Sequence, residues 1–289
     1  MSNVIACIGD SKHSNAVVDY AAWATKTLQS PLTFLHVLNR QHYPITSDLS
    51  GSIGLGSREH LLEELAVLDE KRSQIALEQG RAVLEAAKQR AIADGILNCE
   101  LLQRHGELFD VLHEIEQKVR LLVIGKNSED AQKANHHIGS QLESVIRIMH
   151  RPILIVPSSS ELTVSFEKPR SAILAFDGSA TTRKGVEMLA RSALCKSLHI
   201  HVVMIGASTE DAKAQTAWAV QCLNDANISA QSIILAGDVE PTLHQYQADH
   251  KIDMLIMGAY GHSRIRQFLV GSTTNQMIKT SQSPILLLR

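Results

Sequence analysis

The sequence states one pattern twice, and this restricts its fold more than any other feature. VIACIGDSKHSNAVVDYAAWA, from Val4, parallels AILAFDGSATTRKGVEMLARSA, from Ala172, and sets Asp10 opposite Asp177. IGSQLESVIRIMHRPILIV, Ile138 to Val156, parallels VGSTTNQMIKTSQSPILLL, Val270 to Leu288. In each, a glycine (Gly139, Gly271) precedes a proline (Pro152, Pro284) by 13 positions. A duplication of this length predicts two like units in tandem. The aspartates lie 167 positions apart and the glycines 132, so the first copy carries about 35 additional residues, which fall within 40–94.

Within each copy, short Val/Ile/Leu runs alternate with longer amphipathic stretches, as in βα units on a parallel sheet covered on both faces. Strands are predicted near 4–9, 32–38, 97–104, 120–125 and 152–156, and again near 171–177, 198–205, 229–235, 253–258 and 284–288. Helices in the second copy are predicted near 180–194, 209–226, 240–250 and 272–281. Five strands and four helices per copy define an α/β fold of two tandem doubly wound domains, with ligand sites at the carboxyl ends of the strands. Pro157 to Pro169, PSSSELTVSFEKP, is polar and bounded by prolines. The expected division is therefore a first domain at 1–157, a linker at 158–169 and a second domain at 170–289.

Composition narrows the function. A chain of 289 residues with 44% hydrophobic and 20% charged residues can bury a substantial core. Its 28 Lys plus Arg against 30 Asp plus Glu give no basic field, so no nucleic-acid partner is expected. Cys7, Cys99, Cys195 and Cys222 form no CxxC pair and read as reduced thiols, small buried hydrophobes in a cytoplasmic protein. MSNVIACIGD runs straight into a strand without a basic leader, and no apolar segment approaches about 18 residues, so neither export nor a membrane span is expected.

The 40–94 insertion has two parts. GSIGLGS, Gly51 to Ser57, reads as a loop; it does not sit between a strand and a helix, as a dinucleotide fingerprint must. Arg58 to Asp94 is rich in helix formers, with Leu61, Leu65, Leu68, Ile75, Val83, Leu84 and Ala87 roughly at helical spacing. One long helix, or two with a break near Gly80, is predicted. It either packs its stripe on the sheet or serves as a lid or partner-docking arm.

The chemistry concentrates in the second copy. Strand DMLIMG leads into Gly258-x2-Gly261-x9-Gly271-Ser272-Thr273, directly before a helix. Gly258 and Gly261 can take positive φ and let the backbone approach an anion. Gly271, Ser272 and Thr273 open a helix whose first amides lack internal partners and so face an anion, though serine and threonine there are also ordinary caps. Asp177 ends the first strand at the same edge, either to cap the following helix or to accept from the nucleoside part of a nucleotide. Met204, ending the second strand, offers backbone groups to a base. His262 and Arg264 stand in the same loop and are candidates to touch a γ-phosphate.

Asp177 with Gly258-x2-Gly261-x9-Gly271-Ser272 resembles the ATP-binding branch of the universal stress protein family, and the duplication resembles its tandem-domain members. The likeness covers roughly 4–156 and 171–289, leaving out the insertion. It implies two five-stranded parallel sheets of order 3-2-1-4-5, binding of ATP, ADP or AMP, Mg or Mn on the phosphates, and a role in stress survival. It also implies that Asp177 and Met204 contact adenosine while Gly258, Gly261, Gly271, Ser272 and Thr273 hold phosphate. Dimers of that family pair last strands edge to edge; here Ile153–Val156 and Ile285–Leu288 can pair within one chain as a pseudo-dimer, with a homodimer as a further option.

The first copy departs from this pattern. Asp10, Gly125, Gly139 and Ser140 match, but Ser128 replaces the second glycine and the spacer is one residue longer, so this site is degenerate. Positive φ at Ser128 would cost about 1 kcal/mol or more. Lys126 either adds charge there or is a solvated loop lysine. His136 and His137 lack further ligands at metal spacing and read as loop residues, and His36 reads as a core histidine. No Gly-x-Ser-x-Gly, His-Glu-x-x-His or Walker-type loop is present, so any turnover is slow. The expected function is a nucleotide-dependent stress regulator. The alternatives are a slow ATP hydrolase or nucleotidyl-transferring enzyme, and a ligand-independent scaffold built on the helical insertion.

Overall fold

The computed structural model describes residues 2–9, 14–38, 55–126, 140–157, 166–259 and 271–289, excepting the side chains of 55–62 and 140. The strands are β1 (Asn3–Cys7), β2 (Leu32–Leu38), β3 (Cys99–His105), β4 (Val119–Gly125), β5 (Ile153–Val156), β6 (Ser171–Ala175), β7 (His199–Ile205), β8 (Ala230–Leu235), β9 (Met254–Gly258) and β10 (Ile285–Leu288). The helices are α1 (Ser14–Leu28), α2 (Leu55–Ala93), α3 (Leu108–Ile115), α4 (Ser140–Ile148), α5 (Ala180–Ala190), α6 (Glu210–Asp225), α7 (Val239–Asp249) and α8 (Ser272–Thr280).

The strands form one ten-stranded sheet of order β3-β2-β1-β4-β5-β10-β9-β6-β7-β8. Each half has the order 3-2-1-4-5 and is parallel throughout; the halves join where β5 and β10 pair antiparallel, Leu154 opposite Leu286. Because successive strand residues alternate between faces, the apolar runs feed two layers. Val4, Phe34, Val123, Leu154, Leu286, Ile256, Leu174 and Val202 lie on the face covered by α1, α2, α5 and α6. Ile5, Leu35, Leu122, Ile155, Ile285, Leu255, Ile173 and Val203 lie on the other, with residues of α3, α4, α7 and α8. Each layer runs through both halves. The two halves therefore share their core layers, because the central strand pair is buried on both sides.

Three local readings also change. β6 stops at Ala175, so Asp177 lies in the turn beyond the strand, where Gly178 takes φ +74°. The helix expected over 180–194 ends at Ala190 and is followed by a 3-10 turn at Ala193–Cys195. The insertion is one unbroken helix that begins at Leu55, inside the segment read as loop. Gly80 does not break it: a Cβ there would meet Gln103 Nε2 and lie 2.6 Å from His36 Cδ2. The glycine lets α2 settle on β2 and β3. Beyond it Leu84, Ala87 and Ala91 are buried, and Arg90 Nε holds the buried Asp19 of α1 at 2.5 Å.

Candidate functional site

The parallel order brings the carboxyl ends of β6, β7 and β9 together. β6 lies between β7 and β9, with Ala175 opposite Val203 and Leu174 opposite Ile256. Gly258 is the last residue of β9, opposite Leu288, and Met204 is next to last in β7, opposite Ile234. Gly258 is held extended by that pairing and is not among the positive-φ residues, so it supplies no left-handed turn, contrary to expectation.

Helix α8 starts at this edge. Gly271, its N-cap, has φ −56° and ψ 141° and offers no capping side chain. The start is fastened from below instead: Thr274 Oγ1 donates to the Gly258 carbonyl at 3.1 Å, and the Gly271 amide to the Ala259 carbonyl at 3.4 Å. Ser272 and Thr273 are exposed. Their amides belong to the first turn of a helix, which has no internal acceptors for them. By contrast α5 and α6 carry side-chain caps, Ser179 Oγ accepting from the Thr182 amide and Thr209 Oγ1 from the Ala212 amide. An uncapped helix start beside a strand end is a favourable place for an anion.

Asp177 is exposed, and its Oδ1 accepts from the Ser179 amide at 2.9 Å and from Thr182 Oγ1 at 2.7 Å. It thus braces the start of α5. Met204 is buried in the layer shared with α5 and α6. The structure therefore gathers Asp177, Met204, Gly258, Gly271, Ser272 and Thr273 at one edge. Gly261, His262 and Arg264 lie outside the described residues, as do Asp10, Ser128, Gly139, His136 and His137. In the first half, Gly125 closes β4 and Ser140 opens α4. A Cβ at Gly125 would make an ordinary 3.6 Å contact with Val17.

Sequence reasoning missed two arrangements. A Cβ on Gly178 would run into Gln215, 2.7 Å from its Cδ, while Arg183 sits 4.7 Å over the Trp218 ring, which stacks on Phe176. This pins the Asp177 turn against α6. The positive φ at Gly178 was the available signal, since glycine after the aspartate suits a left-handed turn. Second, Lys126 is a partly buried lysine rather than a solvated one: its Nζ donates to the Ser281 carbonyl at the end of α8, 2.8 Å away. In return Arg289 donates to the Met149 and Arg147 carbonyls at the end of α4. His36 is buried, with Nδ1 donating to the Ile8 carbonyl at 2.8 Å. Burial pushes the Cys7 and Cys195 thiols up to about 12, so both stay protonated and inert at neutral pH. Among the described residues no group of acidic, histidine or cysteine side chains is placed to hold a metal ion, and no helix is long and apolar enough to cross a membrane.

A duplicated 3-2-1-4-5 sheet with helices on both faces defines a tandem, doubly wound α/β protein. The comparisons make this specific. The universal stress protein family matches residues 1–157 and 170–289, and the chain belongs to that family. Universal stress protein Slr1230 of Synechocystis is 32% identical over 293 residues, covering 100% of both chains. Universal stress protein MJ0577 of Methanocaldococcus jannaschii is 30% identical over 81 residues, 28% of this chain and 50% of that protein. The crystal structure of a universal stress protein from Archaeoglobus fulgidus superposes with a TM-score of 0.67 at 16% identity, covering 99% of this chain and 96% of that one.

Proposed function

We propose that the chain is a cytoplasmic stress-response protein whose second domain binds one adenine nucleotide, ATP, ADP or AMP, and acts as a nucleotide-dependent regulator. The observation that carries this reading is the glycine-capped, uncapped-by-side-chain start of α8 beside Gly258, at the same sheet edge as the exposed Asp177. In this reading the Ser272 and Thr273 amides and hydroxyls take the phosphates, with Gly261, His262 and Arg264 of the preceding loop beside them. The Asp177 carboxylate meets the ribose and the end of β7 at Met204 meets the base. A divalent ion, Mg or Mn, rides on the phosphates; the described side chains supply no cage for it.

In this reading the domains are 1–157 and 170–289, with 158–169 as the linker. The antiparallel β5–β10 seam supports reading the halves as a dimer built into one chain. The first domain has the degenerate motif, and the engagement of Lys126 with Ser281 supports a structural role for that edge.

Calorimetric titration of the full chain with ATP, ADP and AMP, with and without Mg, tests the proposal. One site per chain is expected. No heat with any of the three, or unchanged affinity in Ser272→Glu, would refute it. Product formation abolished by Asp177→Ala would instead favour an enzyme.

A further inference from the structure

The Asp177 turn is fixed on both sides by residues that lie outside it. Before the aspartate, the buried Phe176 ring stacks on Trp218 of α6, with centroids 6.5 Å apart and planes 26° from parallel. After it, the Gly178 carbonyl accepts from Arg183 Nε at 3.2 Å, and the Arg183 guanidinium lies 4.7 Å over the same Trp218 ring, where the ring quadrupole attracts a cation. Trp218 thus engages the residue on each side of Asp177, one through its ring and the other through Arg183. Gln215, one turn earlier on α6, occupies the space that a side chain on Gly178 would need, and its Nε2 donates to Asp211 Oδ2 at 2.6 Å. Asp177 itself stays exposed between these fixed neighbours.

Helix packing alone does not call for this arrangement. Val186, Leu189, Ala219 and Leu223, buried in one layer, already seat α5 and α6 on the sheet, whereas Arg183 is half-buried and gives a hydrogen bond to the carbonyl of a turn residue. The first copy lacks two of the residues involved: Ser11 follows Asp10 where Gly178 follows Asp177, and six positions after the aspartate stands Ala16 instead of Arg183. The clamp therefore accompanies the copy that carries the intact glycine motif. A carboxylate on a wandering turn loses part of any hydrogen bond it makes to the cost of being ordered, and one held in advance does not. Asp177 Oδ1 already takes bonds from the Ser179 amide and Thr182 Oγ1, and the clamp fixes the backbone that carries it.

We infer that Arg183 and Trp218 are positioning residues for Asp177, and that through them α6 sets how strongly the site distinguishes a ribose from a sugar without hydroxyls. This rests on the reading of the second half as a nucleotide site and adds to it where the sugar selectivity comes from.

Titration of the full chain with ATP and with 2′,3′-dideoxy-ATP tests it through the ratio of the two affinities. The wild type is expected to bind ATP about tenfold more tightly, the worth of one hydrogen bond to a charged group, and Asp177→Ala to bind the two alike. Arg183→Met and Trp218→Leu are expected to bring the ratio down to about two by weakening ATP alone, with dideoxy-ATP affinity and the circular dichroism spectrum unchanged. Trp218→Phe, which keeps an aromatic face for Phe176 and Arg183, retains most of the wild-type ratio. A ratio that survives Arg183→Met but not Asp177→Ala overturns the inference and leaves the nucleotide reading intact. Equal weakening of both nucleotides in Arg183→Met and Trp218→Leu also overturns it, since a merely structural role acts on both. A wild type that binds ATP and dideoxy-ATP alike overturns it as well, and one that binds neither overturns the nucleotide reading along with it.

Discussion

The two carboxyl edges of the sheet come from the same sequence plan and are put to different uses. In the second half β9 ends on Gly258 and α8 opens at a glycine cap, leaving Ser272 and Thr273 exposed. In the first half β4 ends on Gly125, but the next residue, Lys126, reaches across to the final carbonyls of α8. The basic residue nearest the first edge thus stabilises the far end of the helix whose start is the candidate site in the second. One half presents its amides to solution; the other spends a charge on the seam. Two copies of one plan can thus differ in what their equivalent edges hold.

The strongest way to break this comparison is to put the same charge at both helix starts. Ser272→Glu places a carboxylate where the phosphate is proposed to sit, while remaining compatible with the helix dipole, so the protein stays folded. ATP affinity is expected to fall about a hundredfold, which corresponds to the loss of one or two charge-assisted hydrogen bonds together with direct repulsion. Ser140→Glu, the matching change in α4, is expected to leave calorimetric ATP binding unchanged. Equal losses from both variants would show that the halves are not specialised.

A second comparison concerns glycines that admit close neighbours. Gly80→Ala drives a Cβ into His36 and Gln103 and forces α2 off the sheet, an overpacking cost of about 2 kcal/mol. Gly178→Ala meets the far end of the flexible Gln215 side chain but must hold φ +74°, costing about 1 kcal/mol. Urea unfolding of both variants is expected to rank them in that order. If Gly178→Ala proves the costlier, the Asp177 turn is held more rigidly than its contacts indicate.

Next in size is the seam. Lys126→Met removes a charged hydrogen bond to the end of α8 and is expected to cost about 1 to 2 kcal/mol of stability. It should alter ATP affinity less than twofold if the first edge is structural. A large loss of affinity would place Lys126 in the binding machinery and undo the division of labour.

These residues show where sequence reading reaches and where it stops. The strands were legible because runs such as Leu121 to Ile124 and Leu255 to Met257 are apolar at every position, as strands covered on both faces must be. The start of α8 was legible because its signal is local in sequence, a glycine followed by serine and threonine directly before a helical stretch. Whether Gly80 breaks the helix was left open between one helix and two, because its partners, His36 and Gln103, are remote in sequence. The helix-breaking tendency of glycine, about 1 kcal/mol, was visible, and the clash it avoids was not. Lys126 was illegible for the same reason, its acceptor lying 155 positions away. Asp177 was read as ending a strand because the apolar run up to Phe176 continues to it; the glycine that follows, left-handed in the structure, was the local sign that the turn had begun.

The smallest expected effect tests whether the halves differ in their response to acid. On β7 and α7 the second half holds His201, which is buried; its Nδ1 bonds the Tyr246 hydroxyl at 2.9 Å, and Gln231 lies 3.1 Å from the same nitrogen. His199 and His250 stand 4.9 and 6.3 Å away, ring to ring. Burial first, and then these two histidines, hold the His201 imidazole below its ordinary range. Because the folded value is lower than the unfolded one, the unfolded chain takes up the proton first. The neutral ring's contribution is therefore complete above the unfolded value of about 6.5 and is lost as pH falls below it toward the folded value. Thermal unfolding between pH 7.5 and 5 should show stability declining toward acid, with a shallower decline in His201→Gln, whose amide keeps a polar group for Tyr246 but cannot titrate. Identical slopes for wild type and His201→Gln would remove the histidine cluster as the origin of any acid sensitivity in the second half.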